Sequence, residues 1–368
     1  MKNRIKLGSF LLILAVIFAL NAKDQIAKIG DVKKAKKVKI NKALAEKLKD
    51  ELIKPIPLTV EDYHDDEEID YDENWVKLGK RLFHDTRLSS DDSVSCASCH
   101  DLRYGGVDRA ITATGIHGQI GPINTPTVFN SSYGFTQFWD GRAEDLEKQA
   151  DGPPNAPNEM GSNWKEILEK IRADKIYLEM FKKAVPDEVK KESDIKEAHL
   201  MQMIAAFERT LITPNADFDK YLRGQEDAIS EVAKKGYEVF KDKGCIECHN
   251  GAAVGGKSYQ KLGRKKAYFT KGTHTTVDLG RYNVTKKKKD KFHFKVPTLR
   301  NIELTAPYFH DGSQKTLRDA VVAMSDHQID IPLDDKEVDQ VVEFLKTLTG
   351  EYQGKSLKAH QNTHATKK

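Results

Sequence analysis

The chain has 368 residues, of which 39% are hydrophobic and 32% are charged, and its formal net charge is +4. Because no long apolar stretch follows the one that ends at residue 20, this composition excludes a protein with several membrane spans. The length allows two domains of ordinary size, and the spacing of the basic residues does not indicate nucleic-acid binding.

The N-terminus has the pattern of an export signal. Three basic residues precede an apolar run from Leu7 to Leu20, which is short for a membrane span of about 20 apolar residues. We therefore predict a signal peptide at residues 1–22 and a periplasmic location. Leu20 is bulkier than the residue that usually lies three positions before a cleavage site, so an uncleaved N-terminal anchor is the alternative.

Residues 23–73 are predicted to form a charged N-terminal segment or linker. Eleven Lys and five acids lie within residues 22–54, whereas residues 61–73 hold nine acids and neither Lys nor Arg. Such runs are usually solvated surface. An acidic face for a basic partner protein is the alternative interpretation.

The apolar spacing predicts a mainly helical chain. Residues 74–83 place Trp75, Leu78 and Leu82 on one helical face. A loop-rich stretch rich in Gly, Pro and Asn follows from residue 105 to residue 161. Further helices are predicted within residues 163–184, 194–212, 228–244 and 335–350.

All four cysteines lie in two copies of one pattern. CASCH and CIECH each hold two cysteines separated by two residues, with a histidine directly after. At this spacing two thiols can attach to one haem while the histidine ligates its iron. A redox dithiol does not need the histidine, and zinc would favour two pairs closer in sequence. We therefore predict two covalently bound haem c groups, attached at Cys96, Cys99, Cys245 and Cys248 and ligated by His100 and His249.

Four stretches together resemble one known family in content and order. They are SCASCHDLRYGGVD, GPINTPTVFNSSYGFTQFWDGRAEDLEKQADGPPNAPNEM, AAFERTLITPNADFDKYL and KVPTLRNIELTAPYFHDGSQKTLRDAVVAM. Over about residues 74–350 the chain resembles the bacterial di-haem cytochrome c peroxidases. The resemblance implies a mainly α fold of two cytochrome c-like helical haem domains, with loop-rich connections and little β structure.

The two motifs divide the chain into two predicted domains. We place an N-terminal peroxidatic haem domain at residues 74–225 and a C-terminal electron-transfer haem domain at residues 226–350. A flexible tail is predicted at residues 351–368.

The resemblance implies different roles for the two haems. Met324 would be the axial ligand opposite His249, and because a His/Met pair raises the reduction potential, this haem would first receive electrons from a small mono-haem cytochrome c or a similar donor. The first haem would be the peroxidatic centre, with Glu159 as the acid/base group, Gln149 beside it and Trp139 between the haems. Core packing is the ordinary role of a Met or a Trp.

One position departs from the family pattern. Well-studied members close the resting peroxidatic haem with a distal histidine, and in an ungapped comparison Ile116 stands at that position, with His117 one residue later. Either the loop shifts by one residue and His117 ligates the first haem, or the chain has no closed resting state.

The resemblance also implies a calcium ion between the two haem regions. Its protein ligands would be Asn124, Thr305 and Pro307, through one side-chain amide oxygen and backbone carbonyls, and such an oxygen-only set suits Ca²⁺. An ordinary Asn-Thr-Pro turn is the alternative. His310 lies in the same motif and has no assigned role, and a homodimer is expected from the family.

The reaction implied by the resemblance is the reduction of hydrogen peroxide to two waters by two reduced cytochromes. Two other classes of protein stay open. Related di-haem enzymes oxidise tryptophans of a partner protein, but they have tyrosine where Met324 stands. A non-enzymatic di-haem electron carrier would leave Gln149 and Glu159 without a role.

Overall fold

A computed structural model describes residues 40–66, 72–270 and 272–360. The predicted signal peptide and most of the Lys-rich segment lie outside the described residues. Among the helices that are described, none is both long enough and apolar enough to cross a membrane.

The described residues are mostly helical. The α-helices are α1 (Lys42–Leu48), α2 (Val60–Asp66), α3 (Glu73–Phe83), α4 (Cys96–Cys99), α5 (Leu146–Ala150), α6 (Gly152–Asn155), α7 (Trp164–Arg172), α8 (Lys175–Ala184), α9 (Glu197–Arg209), α10 (Asp217–Leu222), α11 (Glu231–Asp242), α12 (Tyr282–Thr285), α13 (Leu317–Gln328) and α14 (Asp335–Lys346). The strands are β1 (Tyr259–Lys261), β2 (His293–Lys295), β3 (Glu351–Tyr352) and β4 (Lys355–Ser356), which form two antiparallel pairs, β1 with β2 and β3 with β4. This confirms the mainly α fold with little β structure.

The helix before the first motif, α3, crosses α9 at Gly79. A Cβ atom at Gly79 would overlap the backbone oxygen of Met203, so glycine lets the two backbones touch. Leu78 and Leu82 of α3 are fully buried, as their helical spacing predicts. The crossing fixes the wall behind the first motif.

The second motif has the same arrangement behind it. Helix α11 crosses α14 at Gly236, where a Cβ atom would overlap the backbone oxygen of Gln340. Three aromatic rings pack at this crossing. The ring centroid of Phe344 lies 5.0 Å from that of Phe218 and 5.2 Å from that of Phe240. The chain thus repeats one helix pair per motif.

Some helices are shorter than their apolar patterns suggest. The predicted helix over residues 163–184 is two helices, because Asp174 begins α8 by accepting a hydrogen bond from the backbone N–H of Ile176. Helix α14 ends at Lys346, four residues before Gly350. Beyond it, β3 and β4 form a short hairpin, and Leu357 is buried against Phe129 and its neighbours.

Residues from the charged N-terminal segment also reach the core. Leu48 and Ile53 are buried with the residues of the second helix pair. Nearby, the fully buried Arg300 lies 2.6 Å from Asp219 and donates a second hydrogen bond to the backbone oxygen of Lys54 at 2.8 Å. This segment is therefore part of the support of the second motif.

Candidate functional site

The two Cys-x-x-Cys-His motifs line the same cavity. Its wall is mainly apolar and is built by loops from both halves of the chain. The predicted residues on this wall are Cys96, Cys99, His100, Asn124, Trp139, Gln149, Glu159, Cys245, Cys248, His249, Thr305, Pro307, His310 and Met324. The structure therefore brings together every predicted site residue except His117.

The first motif is a single helical turn. Ser95 precedes α4, and the backbone N–H of His100 donates to the oxygen of Cys96 at 2.9 Å, which closes the turn. The Nδ1 atom of His100 lies 3.2 Å from the oxygen of Gly106. Burial lowers the pKa of His100, so its imidazole is neutral at pH 7. A neutral imidazole with Nδ1 held by a carbonyl leaves Nε2 for a metal.

The second motif has a similar turn. The backbone N–H of His249 donates to the oxygen of Cys245 at 3.1 Å. Burial lowers the pKa of His249 to about 4, and no described residue offers its buried Nδ1 a well-aligned hydrogen bond. Met324, on α13, lines the same cavity. A neutral imidazole and a thioether are the ligand types that a cytochrome iron takes.

The cysteines fit thioether attachment better than redox chemistry. All four are free thiols. Burial is the main cause that raises the pKa of each thiol, to about 11 for Cys245 and about 12 for Cys99. Redox-active dithiols need a lowered thiol pKa. The paired thiols, the neutral histidines and the apolar wall fit two haem c groups.

Glu159 is a largely buried carboxyl beside the first motif. Burial raises its pKa, against the opposing charge of Arg142. Its negative charge raises the pKa of the Cys99 thiol, which places the carboxyl close to that motif. Gln149, the penultimate residue of α5, lines the same wall. A carboxyl whose pKa is raised is better suited to take up and release a proton than one that is fully exposed.

Trp139 links the two halves of the cavity wall. Its indole Nε1 donates to the backbone oxygen of Asn124 at 3.0 Å, and its backbone oxygen accepts from the N–H of Lys295 at 2.8 Å. The edge of its ring faces the ring of His310 at a centroid distance of 6.4 Å. His310 is buried, and its Nε2 lies 2.7 Å from a carboxylate oxygen of Asp278.

The residues predicted for calcium lie on one stretch of this wall. The side-chain amide nitrogen of Asn124 donates to the oxygens of Ala110 and Ile111 at 3.0 Å and 3.1 Å. This orientation leaves Oδ1 of Asn124 as its acceptor. Thr305 and Pro307 line the wall with Asn124, and their backbone oxygens would complete an oxygen-only set.

His117 lies away from the cavity. Its side chain is 66% exposed, and its Nδ1 is 3.4 Å from a carboxylate oxygen of Asp91. Ile116 takes the interior position instead, because its backbone N–H donates to the oxygen of Glu159 at 2.8 Å and its side chain is buried. His117 has a positive φ of 54°, which turns the loop outwards at this residue.

Two ionisable residues on the wall escaped the sequence analysis. Glu208, on α9, is 5% exposed, and burial raises its pKa to about 8. Lys295, on β2, donates one hydrogen bond to the oxygen of Thr136 at 2.8 Å, and burial lowers its pKa to about 8. The sequence signal for Glu208 was a charge on the apolar face of a helix, and a Lys next to an apolar strand carries no comparable signal.

Lys295 adds a further test of the haem assignment. Its ammonium group has no carboxylate partner among the described side chains, and an unpaired buried charge is costly. The propionate carboxylates of a haem would supply the missing negative charge. Lys295 therefore fits a cavity that holds haem.

Comparisons with known proteins agree with this geometry. Residues 73–227 match the model of the di-haem cytochrome c peroxidase family, and residues 233–349 match that of cytochrome c. The crystal structure of a MauG-like protein associated with microbial copper homeostasis has a TM-score of 0.70 at 28% identity, covering 82% of this chain and 94% of that chain. The two helix pairs thus correspond to a known di-haem architecture.

Two similar proteins from bacteria are named as cytochrome c peroxidases. The chain is 48% identical over 277 residues to the cytochrome c551 peroxidase of Nitrosomonas europaea. The matched region covers 75% of this chain and 80% of that protein. It is 46% identical over 305 residues to the cytochrome c peroxidase Ccp of Escherichia coli, covering 83% of this chain. The chain spans 62% of the length of that second relative. With its two haem c motifs on one cavity, the chain belongs to the bacterial di-haem cytochrome c peroxidase family.

Proposed function

We propose that the protein reduces hydrogen peroxide to two waters in the periplasm, and that each peroxide consumes two electrons and two protons. The observation that carries this proposal is the half-buried Glu159 carboxyl, which lines the cavity together with Gln149 and the first motif. A protein that only carried electrons would have no use for an acid in that place.

The chain's own residues would handle the protons. When bound, the haems supply the iron site and the electrons for breaking the O–O bond. Glu159 takes a proton from one peroxide oxygen and returns it to the other oxygen, which leaves as water. The side-chain amide of Gln149 holds the peroxide in position by hydrogen bonding. The raised pKa of Glu159 brings it closer to the pH at which it must both take and give a proton.

Electrons would enter at the second haem and be used at the first. His249 and Met324 would ligate the second iron, and this ligand pair favours the reduced state. Trp139 lines the cavity that both motifs share, and hydrogen bonds connect it to Asn124 and to Lys295, which supports its proposed place on the electron path. The donor would be a small mono-haem cytochrome c or a similar protein.

The proposal includes one calcium ion and a homodimer. Asn124, Thr305 and Pro307 would bind the ion on the stretch of wall that also carries Trp139. Calcium would hold these loops in place and so keep the distance between the two haems constant.

Met324 argues against the main enzymatic rival. Its thioether lies on the wall with His249, whereas the related enzymes that oxidise tryptophans in a partner protein carry tyrosine there. A second haem with a methionine ligand suits single-electron delivery to peroxide chemistry.

Replacement of Glu159 by Gln tests the proposal. We expect peroxide turnover to fall by roughly a hundredfold or more, because general acid–base catalysis contributes about that much, while the donor still reduces the second haem at an unchanged rate. Steady-state assays and rapid-mixing spectroscopy would measure the two rates.

The matched control is Glu144→Gln, which removes an exposed carboxylate from the neighbouring loop. This variant should behave as the unmodified protein. Full turnover by Glu159→Gln would contradict the role proposed for this residue. If the unmodified protein shows no peroxide turnover with any electron donor, the protein is an electron carrier and not a peroxidase.

A further inference from the structure

A group of exposed basic residues follows the second motif. Within residues 257–266 there are five basic residues and no acid. We call this group the basic rim, and it consists of Lys257, Lys261, Arg264, Lys265 and Lys266, all of them exposed.

The basic rim is held against the helix that carries Met324. The backbone N–H groups of Gly263 and Arg264 donate to the side-chain oxygen of Gln328 at 2.9 Å and 2.8 Å. The N–H of Lys265 donates to the backbone oxygen of His327 at 3.0 Å. These contacts fix the loop at the C-terminal end of α13, one turn beyond Met324.

Arg264 also marks where the second half of the cavity reaches the surface. It lines the cavity wall, although its side chain is 43% exposed. Its guanidinium lies 3.8 Å from the carboxylate of Glu247, the residue directly before Cys248. A haem attached at Cys248 would therefore have one edge next to the basic rim.

Lys257 extends the basic rim around the other side of the motif. A Cβ atom at Gly251 would lie 2.7 Å from Cε of Lys257. Gly251 is two residues beyond His249, so this lysine lies beside the turn that leaves the motif. The basic rim thus lies near the second motif through Arg264, beside Glu247, and through Lys257, beside Gly251.

Acidic neighbours neutralise only part of the basic rim. Glu247 lies 3.8 Å from Arg264, and Asp330 lies 2.8 Å from Lys265. Lys257, Lys261 and Lys266 form no ion pair within the described part of the chain. Exposed Asp326 adds one more acid nearby. The surface keeps a positive charge, and next to it Ile331 is 71% exposed.

We propose that the basic rim is the docking surface of the electron donor, and that this donor carries an acidic face around its own haem edge. The inference rests on the proposed function, because it names the partner of the same electron-entry site. Electron-transfer complexes are small and weak, and charge complementarity raises their association rate. One electron passes from the reduced donor to the second haem in each encounter.

This surface points to a donor of the opposite charge from the one suggested by residues 61–73. Glu61 and Asp62 of that segment are exposed and do not line the cavity. Charge next to the electron-entry edge steers a partner to a productive contact, whereas charge elsewhere does not. The basic rim is therefore the better guide to the donor.

Charge reversal on the full-length di-haem protein tests the proposal. The test variant is Lys261→Glu with Lys266→Glu, and the matched control is Lys165→Glu with Lys183→Glu, two exposed lysines on α7 and α8. The probes are two reduced mono-haem cytochromes c, one strongly acidic and one strongly basic. Rapid mixing gives the rate constant for reduction of the second haem, over a range of salt concentrations.

With the acidic cytochrome, we expect the rate constant of the test variant to be about tenfold lower than that of the unmodified protein at low salt. At high salt the two rate constants should become equal, because salt screens the charges. With the basic cytochrome the rate constant should rise. The control variant should follow the unmodified protein. Equal rate constants for the test variant and the control with both cytochromes would overturn the proposal.

Two further measurements distinguish a donor-docking surface from an inactive enzyme and from a membrane-binding surface. Peroxide turnover with a neutral small-molecule reductant should be the same in all variants, and its absence in the unmodified protein would refute the proposed function rather than the docking surface. The second measurement is binding to phosphatidylglycerol vesicles. If the test variant loses this binding while the rates with both donors stay unchanged, the basic rim binds a membrane and the proposal is overturned.

Discussion

Glu208 is buried and Lys295 is half-buried on the cavity wall, and neither has an ion-pair partner among the described residues. Lys295 has one hydrogen bond, to a backbone oxygen, and no hydrogen bond is formed by the carboxyl of Glu208 to any described residue. Burial moves the pKa of both towards about 8, downwards for the lysine and upwards for the acid. Such costly groups persist where a cofactor or a reaction uses them.

Lys295→Met should lower the midpoint potential of the haem whose propionate it faces. Loss of a nearby positive charge favours the oxidised, more positive iron. Redox titration of the di-haem protein, followed by visible spectroscopy, would measure both potentials. Lys295→Arg keeps the charge and is the control, and two unchanged potentials in the methionine variant would exclude a pairing with propionate.

Glu208 should make stability depend on pH. Its pKa rises from 4.5 to about 8 on folding, so the folded state binds more protons than the unfolded state between these values. The free energy of unfolding therefore decreases as pH rises from about 4.5 to about 8, by at most about 1.4 kcal/mol per pH unit.

Glu208→Gln should remove this slope. Thermal unfolding at pH 5, 7 and 9 should show the variant gaining stability over the unmodified protein as pH increases. Glu166→Gln, at an exposed position of α7, should show no such gain. Parallel pH profiles for Glu208→Gln and the unmodified protein would show that the carboxyl does not stay protonated in the fold.

At the scale of elements, each motif stands on a pair of crossing helices with glycine at the crossing. Gly79 lies against the backbone of Met203, and Gly236 lies against that of Gln340. Direct backbone contact sets the distance between the helices, so the wall behind each motif depends on a missing side chain. The repeat of this contact is the structural basis for two similar units.

Gly236→Ala should destabilise the second unit selectively. The added methyl group would overlap a backbone oxygen, which no change of rotamer can relieve, so α11 and α14 must separate. We expect a loss of about 1–3 kcal/mol in unfolding free energy and a change in the spectroscopic signature of methionine ligation at the second haem. Lys235→Ala on the exposed side of α11 is the control, and an unchanged unfolding temperature in Gly236→Ala would contradict the tight crossing.

For the molecule as a whole, we expect the position of the His117 loop relative to the cavity to determine whether the first haem has a distal ligand at rest. The structure has Ile116 inside and His117 at the surface beside Asp91. Because His117 lies at the surface in this arrangement, we predict that it does not ligate the first haem and that this haem accepts peroxide without prior reduction.

Electron paramagnetic resonance of the fully oxidised protein should show a high-spin first haem and a low-spin second haem. Peroxide turnover should begin without a lag, and His117→Ala should change neither result. A low-spin first haem that turns high-spin after one-electron reduction, with activity appearing only then, would show that His117 moves inwards and ligates the iron.

The cofactor type and the family follow from sequence patterns, and the same patterns predict most of the candidate site. The Cys-x-x-Cys-His pattern is local, because attachment of a haem depends on two thiols and one imidazole within five residues. Helices such as α3 and α11 follow from apolar spacing alone. The prediction of site residues outside the two haem motifs depended on the resemblance to a known family. These residues include Glu159, Gln149 and Met324.

Only the tertiary structure decided how residues distant in the chain meet. It brought both motifs to one cavity, placed Lys295 and Glu208 on its wall and turned His117 away. It also set the basic rim against the end of the Met324 helix, through hydrogen bonds to Gln328 and His327. These features depend on burial and on long-range contacts, which no local pattern of residues encodes.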